Sequence, residues 1–183
     1  REVVQEKHAH DYVSYVDKAS EKKVVSALRK LLPEAGFIAE EGSAAYSDET
    51  YCWVVDPLDG TTNYIHDNAP YCVSIALRDK QSLLLGVVYE PCRDECFYAW
   101  KGGGAYVNGE RLRVSLVSEP KDAFVVTELP YNFEQYARTG EHLIHELYGK
   151  VAGIRMNGSA ALALCYVAAG RFDAWLEAFI GKW

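Results

Sequence analysis

The chain has no apolar run of the roughly 20 residues a bilayer-spanning helix needs, and no basic start followed by a short apolar core as in a secretory leader. A cytoplasmic location without a membrane partner is the expectation. Basic charge is also in deficit, with 19 Lys and Arg against 26 Asp and Glu and a formal net charge of -7. Nonspecific nucleic-acid binding draws on a basic face, so no nucleic-acid partner is expected. A phosphate ligand stays possible, because a carboxylate cluster holding two divalent cations is locally positive. Cysteines are few and show no zinc-type pairing. Cys52, Cys72, Cys92, Cys96 and Cys165 make an odd set of 5, and Cys92 and Cys96 lack a second pair to complete four ligands, so all read as reduced thiols. Internal repeats and low-complexity tracts are missing too. What remains, at 183 residues and 49% hydrophobic content, is a globular chain with one sizeable core, or one domain and part of a second.

The most informative stretch runs from Trp53 to Tyr64. Tyr51 to Val55 is apolar, aromatic and β-branched, which suits a buried strand; Pro57 has no N–H to donate, and is expected to stop that strand and leave Asp56 at its end. Asp59, three positions on, can point into the same space, with the Leu58 carbonyl between them freed from any sheet ladder. Three oxygen donors would then converge, as a hard cation such as Mg²⁺ requires. Gly60 lets the backbone approach a ligand closely, and the N–H groups of Gly60, Thr61 and Thr62, opening a helix turn, form an anion site. Asp-Pro and Asp-Gly are also common turn dipeptides, so these residues alone leave a plain turn open.

Around this stretch the pattern predicts further elements. Val3 to Lys7 reads as a strand and His8 to His10 as a loop. A helix follows, capped by Ser14, with Asp17 in its first turn and Val24, Val25, Leu28, Leu31 and Leu32 on its apolar face, ended by Pro33 and Gly36. Phe37 to Ala39 is a brief strand ending at Glu40 and Glu41; adjacent acids on a strand face opposite ways, so at most one faces the metal turn. Strands at Val73–Arg78, Leu83–Tyr89, Cys96–Trp100 and Ala105–Val107 form an antiparallel meander. The Gly102–Gly104 run is a hairpin connection, since no Lys-Ser or Lys-Thr follows it. After a polar linker near Ser115 to Lys121, strands at Ala123–Thr127, Val151–Arg155 and Phe172–Glu177 alternate with helices at Phe133–Tyr148 and Ala160–Ala169. This divides the chain into an α+β part, residues 1–118, and the start of an α/β part, residues 119–183. His142 and His145 read as an exposed helix face.

Asp56-Pro57-Leu58-Asp59-Gly60-Thr61-Thr62-Asn63-Tyr64, with Glu40 and Glu41 upstream, resembles the signature of the inositol monophosphatase family of magnesium-dependent, lithium-sensitive phosphatases. Lys7, Asp11, Val13, Ser14 and Asp17 resemble another family segment, with Ser14 where threonine is usual, as do Ile154–Ala161 and Phe172–Glu177. The resemblance implies a layered αβαβα sandwich of the sugar phosphatase type and two or three Mg²⁺ ions. Asp56 would bridge metals, Glu40 and the Leu58 carbonyl would hold the first, and Asp59 the second. Thr61 would relay between the attacking water and Asp17, the Ala160 N–H and Glu177 would meet substrate hydroxyls, and the protein would be a homodimer. The implied activity is hydrolysis of an inositol monophosphate or similar polyol phosphate. Gly60-Thr61-Thr62-Asn63 stands where related nucleotide phosphatases carry Gly-Thr-Lys and fructose bisphosphatases Gly-Ser-Ser, which favours the polyol phosphate and keeps a 3'(2'),5'-bisphosphate nucleotidase or a fructose-1,6-bisphosphatase as the alternatives. The family's Trp-Asp pair, whose Asp is a third metal carboxylate, has only Trp183 as counterpart here. The chain is therefore expected to be truncated at both ends relative to the family, and an inactive metal-binding fragment is the non-enzymatic alternative. An aspartyl-phosphate mechanism is excluded by spacing: it needs acids two apart, and Asp56 and Asp59 are three apart.

Overall fold

The computed structural model describes residues 4–8, 11–129 and 133–183. It opens on an antiparallel hairpin of β1 (Val4–His8) and β2 (Asp11–Ser14), which runs straight into helix α1 (Tyr15–Leu31). Ser14 thus ends a strand, and the helix starts at Tyr15. The expected loop at His8–His10 falls partly in β1, and residues 9 and 10 lie outside the described set. Asp17 in the first turn and Arg29 and Lys30 in the last suit the helix dipole. Spacing of three and four residues puts Asp17, Glu21, Val25 and Leu28 on one buried stripe. Leu31, expected on that face, is 74% exposed. Leu32, four residues after Leu28, packs against the core as expected.

Seven strands form the main sheet in the order β3 (Gly36–Ala39), β4 (Tyr51–Asp59), β5 (Cys72–Asp79), β6 (Leu83–Glu90), β7 (Glu95–Trp100), β8 (Gly104–Val107) and β9 (Glu110–Arg111). β3 and β4 are parallel, and every later pair is antiparallel, so the meander is present as read. Pro57 does not stop β4. The strand runs on to Asp59 with a register shift in which Asp56 pairs with Ser74 and Asp59 with Cys72, one residue more on β4 than on β5. A bulge is where a strand tolerates a residue without an N–H, and it re-aims the side chains beside it. After Asp59 comes helix α2 (Thr61–Ile65).

The second sheet has three parallel strands in the order β11 (Gly153–Arg155), β10 (Phe124–Thr127) and β12 (Ala174–Leu176). Helix α3 (Phe133–Leu147) connects β10 to β11 and helix α4 (Ala160–Ala168) connects β11 to β12. Alternation of facing residues gives the main sheet two cores. On one face Val55, Trp53 and Phe37 pack against Val25 and Leu28 of α1. On the other Cys72 and Phe97 pack against Leu162, Ala163 and Tyr166 of α4, which in turn meet Val126 of β10. The layers are therefore α1, main sheet, α4 and small sheet, with α3 beyond, its Tyr136 stacked on Phe179 at 6.0 Å. All five cysteines are free, two buried and one exposed.

Candidate active site

The β4 bulge, the end of β3, the start of α1 and the start of α4 meet at one place. Asp56 is 8% exposed, and its Oδ1 accepts from the Leu58 N–H at 3.0 Å, which closes the Pro-Leu corner as an Asx turn. Glu40 lies in a turn after β3 and not on the strand, with its N–H donating to the Val55 carbonyl at 3.2 Å. That turn brings the Glu40 side chain into a hydrogen bond with the Asp56 carboxyl. Burial first, then the charges of Glu40 and Asp59, push Asp56 up to about 9. A buried carboxyl and a half-buried one in contact ionise together only at high cost unless a cation sits between them.

Asp59 is turned toward α4. Its Oδ2 accepts from Ser159 Oγ at 2.5 Å and from the Ala161 N–H at 2.8 Å, while the Cys72 thiol lies 3.8 Å away. The Ala160 N–H also points at this carboxylate, and burial raises Asp59 against the pull of these donors. Ser159 in turn caps α4, accepting from the Leu162 N–H at 3.3 Å. Among the described residues no three His, Cys, Asp or Glu side chains are gathered as a ready metal cluster. The convergence expected of Asp56 and Asp59 is therefore incomplete: Glu40 and Asp56 touch, whereas Asp59 has its strongest donors at α4.

Thr61 Oγ1 lies 2.9 Å from Asp17 Oδ1 and 2.9 Å from the Leu58 carbonyl, so one hydroxyl hydrogen has two acceptors. Asp17 is 1% exposed. The next polar residues on α1 reach the same region, with Ser20 Oγ donating to the Pro57 carbonyl at 3.2 Å. Gly60 stands at φ 92, and a Cβ there would lie 3.0 Å from the Pro70 carbonyl and 3.1 Å from that of Gly158, so the position needs glycine for both reasons. Thr62 follows in α2. With five residues that helix has little dipole, and any anion cradle at Gly60–Thr62 rests on the N–H groups themselves.

A second acidic corner adjoins Asp59. Glu177, just past β12, has a buried Oε2 without a hydrogen-bond partner, and burial followed by the charges of Glu128 and Asp59 pushes it up to about 7. Glu128, unremarked in the sequence reading, follows β10 and accepts at Oε1 from the N–H groups of Asn157 at 2.7 Å and Gly158 at 2.8 Å. Asn63 grips the same loop from α2, its Nδ2 donating to the Asn157 carbonyl at 2.7 Å. The signal that could have found Glu128 is its place past the carboxyl end of a parallel strand, where open α/β sheets bind ligands. Glu21, four residues after Asp17 and on the same stripe, could have been found by helical spacing.

Whether these groups suit Mg²⁺ is a matter of donor chemistry. Glu40, Asp56, Asp59 and the Leu58 carbonyl offer oxygen only, without imidazole, which fits a hard cation. The crowding that raises Asp56 is what a bound divalent charge would relieve. The donor set fits.

The chain's relatives bear on what a layered α+β fold with an acidic bulge beside a Thr–Asp pair does. The sequence matches the inositol monophosphatase family over residues 1–183. It is 46% identical over 189 residues to "Nus factor SuhB" of Pseudomonas aeruginosa, covering 98% of this chain and 68% of that protein. It is 40% identical over 178 residues to "Inositol-1-monophosphatase" of Rhizobium meliloti, covering 94% and 65%. Among solved structures, extragenic suppressor protein suhB from Bartonella henselae superposes with a TM-score of 0.95 at 38% identity, over 100% of this chain and 70% of that one. The chain spans about two thirds of the length of these relatives. It belongs to the inositol monophosphatase family, and its layered α+β fold is the fold of that family.

Proposed function

We propose that the protein carrying this chain hydrolyses a phosphate monoester in a Mg²⁺-dependent reaction, with an inositol monophosphate or similar polyol phosphate as substrate. Family membership supports a phosphatase, and the Rhizobium meliloti relative bears the name of the inositol enzyme. The observation that carries the reading is the Thr61–Asp17 hydrogen bond at 2.9 Å beside the buried Asp56 and the Glu40 carboxyl it meets. Bound divalent cations would neutralise the phosphate and acidify the attacking water. Glu40, Asp56 and the Leu58 carbonyl would hold one ion, and Asp59 a second after leaving one of its donors at α4. With the Leu58 carbonyl so engaged, Thr61 donates to Asp17 alone, and its lone pairs accept from the water and aim it at phosphorus. The N–H groups of Gly60, Thr61 and Thr62 face the phosphate oxygens, and Glu177 accepts from substrate hydroxyls near Ala160. Net charge was the ground for expecting no nucleic-acid partner, and the charge of a whole chain does not decide what a local surface binds.

Thr61→Ala and Asp17→Asn test this assignment. Each should lower kcat by about 10²–10⁴, the usual worth of a positioned proton relay, with the circular dichroism spectrum retained. Turnover within a few-fold of the parent for either variant would remove Thr61 and Asp17 from the mechanism.

A further inference from the structure

Of the fully buried acids that take no part in the chemistry above, Glu21 and Glu90, the first adjoins the site. Glu21 on α1 is 0% exposed, and a carboxylate is costly to bury without partners. Two short hydrogen bonds offset that cost: Oε2 accepts from the Glu41 N–H at 2.7 Å, and Oε1 from the Ser43 N–H at 2.7 Å. Both donors belong to the turn that starts at Glu40. Gly42 between them stands at φ 70, and a left-handed residue inside a turn lets neighbouring N–H groups converge on one anion. The other end of the contact is rigid, because Val25 and Leu28 fix α1 in the core and Ser20 ties it to the Pro57 carbonyl.

We propose that Glu21 is a positioning residue. It sets where the Glu40 carboxylate stands relative to Asp56, and through that the affinity of the site for a divalent cation. This rests on the reading of Glu40 and Asp56 as cation ligands. Both oxygens of Glu21 are needed at their present reach. Glutamine would turn an NH₂ toward an N–H, and aspartate, one carbon shorter, falls about 1.5 Å short of the turn.

Glu21→Asp keeps the charge and loses the reach, which separates geometry from long-range electrostatics. In calorimetric titration of the intact protein with Mg²⁺ and no substrate, its dissociation constant should rise about tenfold, the loss of one charge-assisted hydrogen bond. The Glu41 and Ser43 amides should exchange faster in the metal-free protein, while kcat at saturating Mg²⁺ stays within about threefold of the parent. Val126→Ala, a truncation in the other core away from α1, should leave Mg²⁺ affinity unchanged. Ser43→Pro, which deletes one donor from the exposed side, should reproduce the shift and serves as the test if Glu21→Asp does not fold. A folded Glu21→Asp or Ser43→Pro protein that binds Mg²⁺ as the parent does overturns the assignment, as does an equal shift in Val126→Ala. Glu40→Gln separates the two levels. If it also leaves Mg²⁺ binding intact, the cation site itself is misread; if it weakens binding while Glu21→Asp does not, only the role of Glu21 falls.

Discussion

The bond between Ser159 and Asp59 joins the main sheet to α4 and makes the most direct claim about what holds the two sheets together. Ser159→Ala removes two things. It takes away the side-chain cap on the Leu162 N–H, worth about 1 kcal/mol. It also takes away the hydroxyl that donates to Asp59 Oδ2 at 2.5 Å, a charge-assisted bond worth about 1.5–3 kcal/mol. The Ala161 N–H at 2.8 Å remains on the same oxygen, so Asp59 is not stranded and the lower part of the range applies. The summed loss is about 2–3 kcal/mol, read by urea unfolding in the absence of divalent cations, where a slope of about 1–3 kcal/mol/M turns it into a midpoint shift near 1 M or more. A double-mutant cycle with Asp59→Asn isolates the pair, with a coupling of about 1.5 kcal/mol or more expected. A coupling under about 0.5 kcal/mol would show that the contact contributes nothing beyond the cap and would refute the reasoning.

Two further outcomes follow from one half-buried and one fully buried acid. The folded-state pKa of Glu177 is raised to about 7, so its contribution to stability is whole below the unfolded value near 4.3 and is lost as pH rises through the folded one. The metal-free protein should therefore lose roughly 1–2 kcal/mol between pH 4.5 and 8, after discounting for a half-exposed side chain, and Glu177→Gln should flatten that slope in pH-dependent urea melts. Glu90 is 0% exposed, and its Oε2 is held by the Tyr166 hydroxyl at 2.5 Å while its Oε1 has no hydrogen-bond partner and only a 3.7 Å ion-pair contact with Arg93 Nε. Tyr166→Phe should cost about 2–3 kcal/mol in thermal or chemical unfolding, and a change under about 0.5 kcal/mol would mean that water or Arg93 satisfies the acid instead.

Most of the elements were legible in the sequence because the patterns that make them are local. Runs of strand-forming residues broken by turn signals marked the meander from Val73 to Val107, and spacings of three and four marked the Val25–Leu28 face of α1. Gly60-Thr61-Thr62 marked a helix start that depends on one glycine at positive φ. Pro57 misled for an equally local reason: a missing N–H breaks a regular ladder, but a bulge has a place for it, and whether a strand bulges depends on the partner strand's register. What the amino-acid order alone determined is thus the kind of element at each position and the family signature within it.

Tertiary packing decided the rest. Thr61 meets Asp17 across 44 residues of chain, and it is the docking of α1 on β4 that closes the distance. Glu40 rather than Glu41 faces Asp56 because a turn, not a strand, carries them, and because Glu21 from another element holds that turn by its backbone. Asp59 lies at α4 since a carboxylate goes to its strongest donors, and those donors, Ser159 and Ala161, are a hundred residues away in sequence. Periodicity is a property of neighbours along the chain. Convergence of charges is a property of neighbours in space, and the folded core alone determines which residues those are.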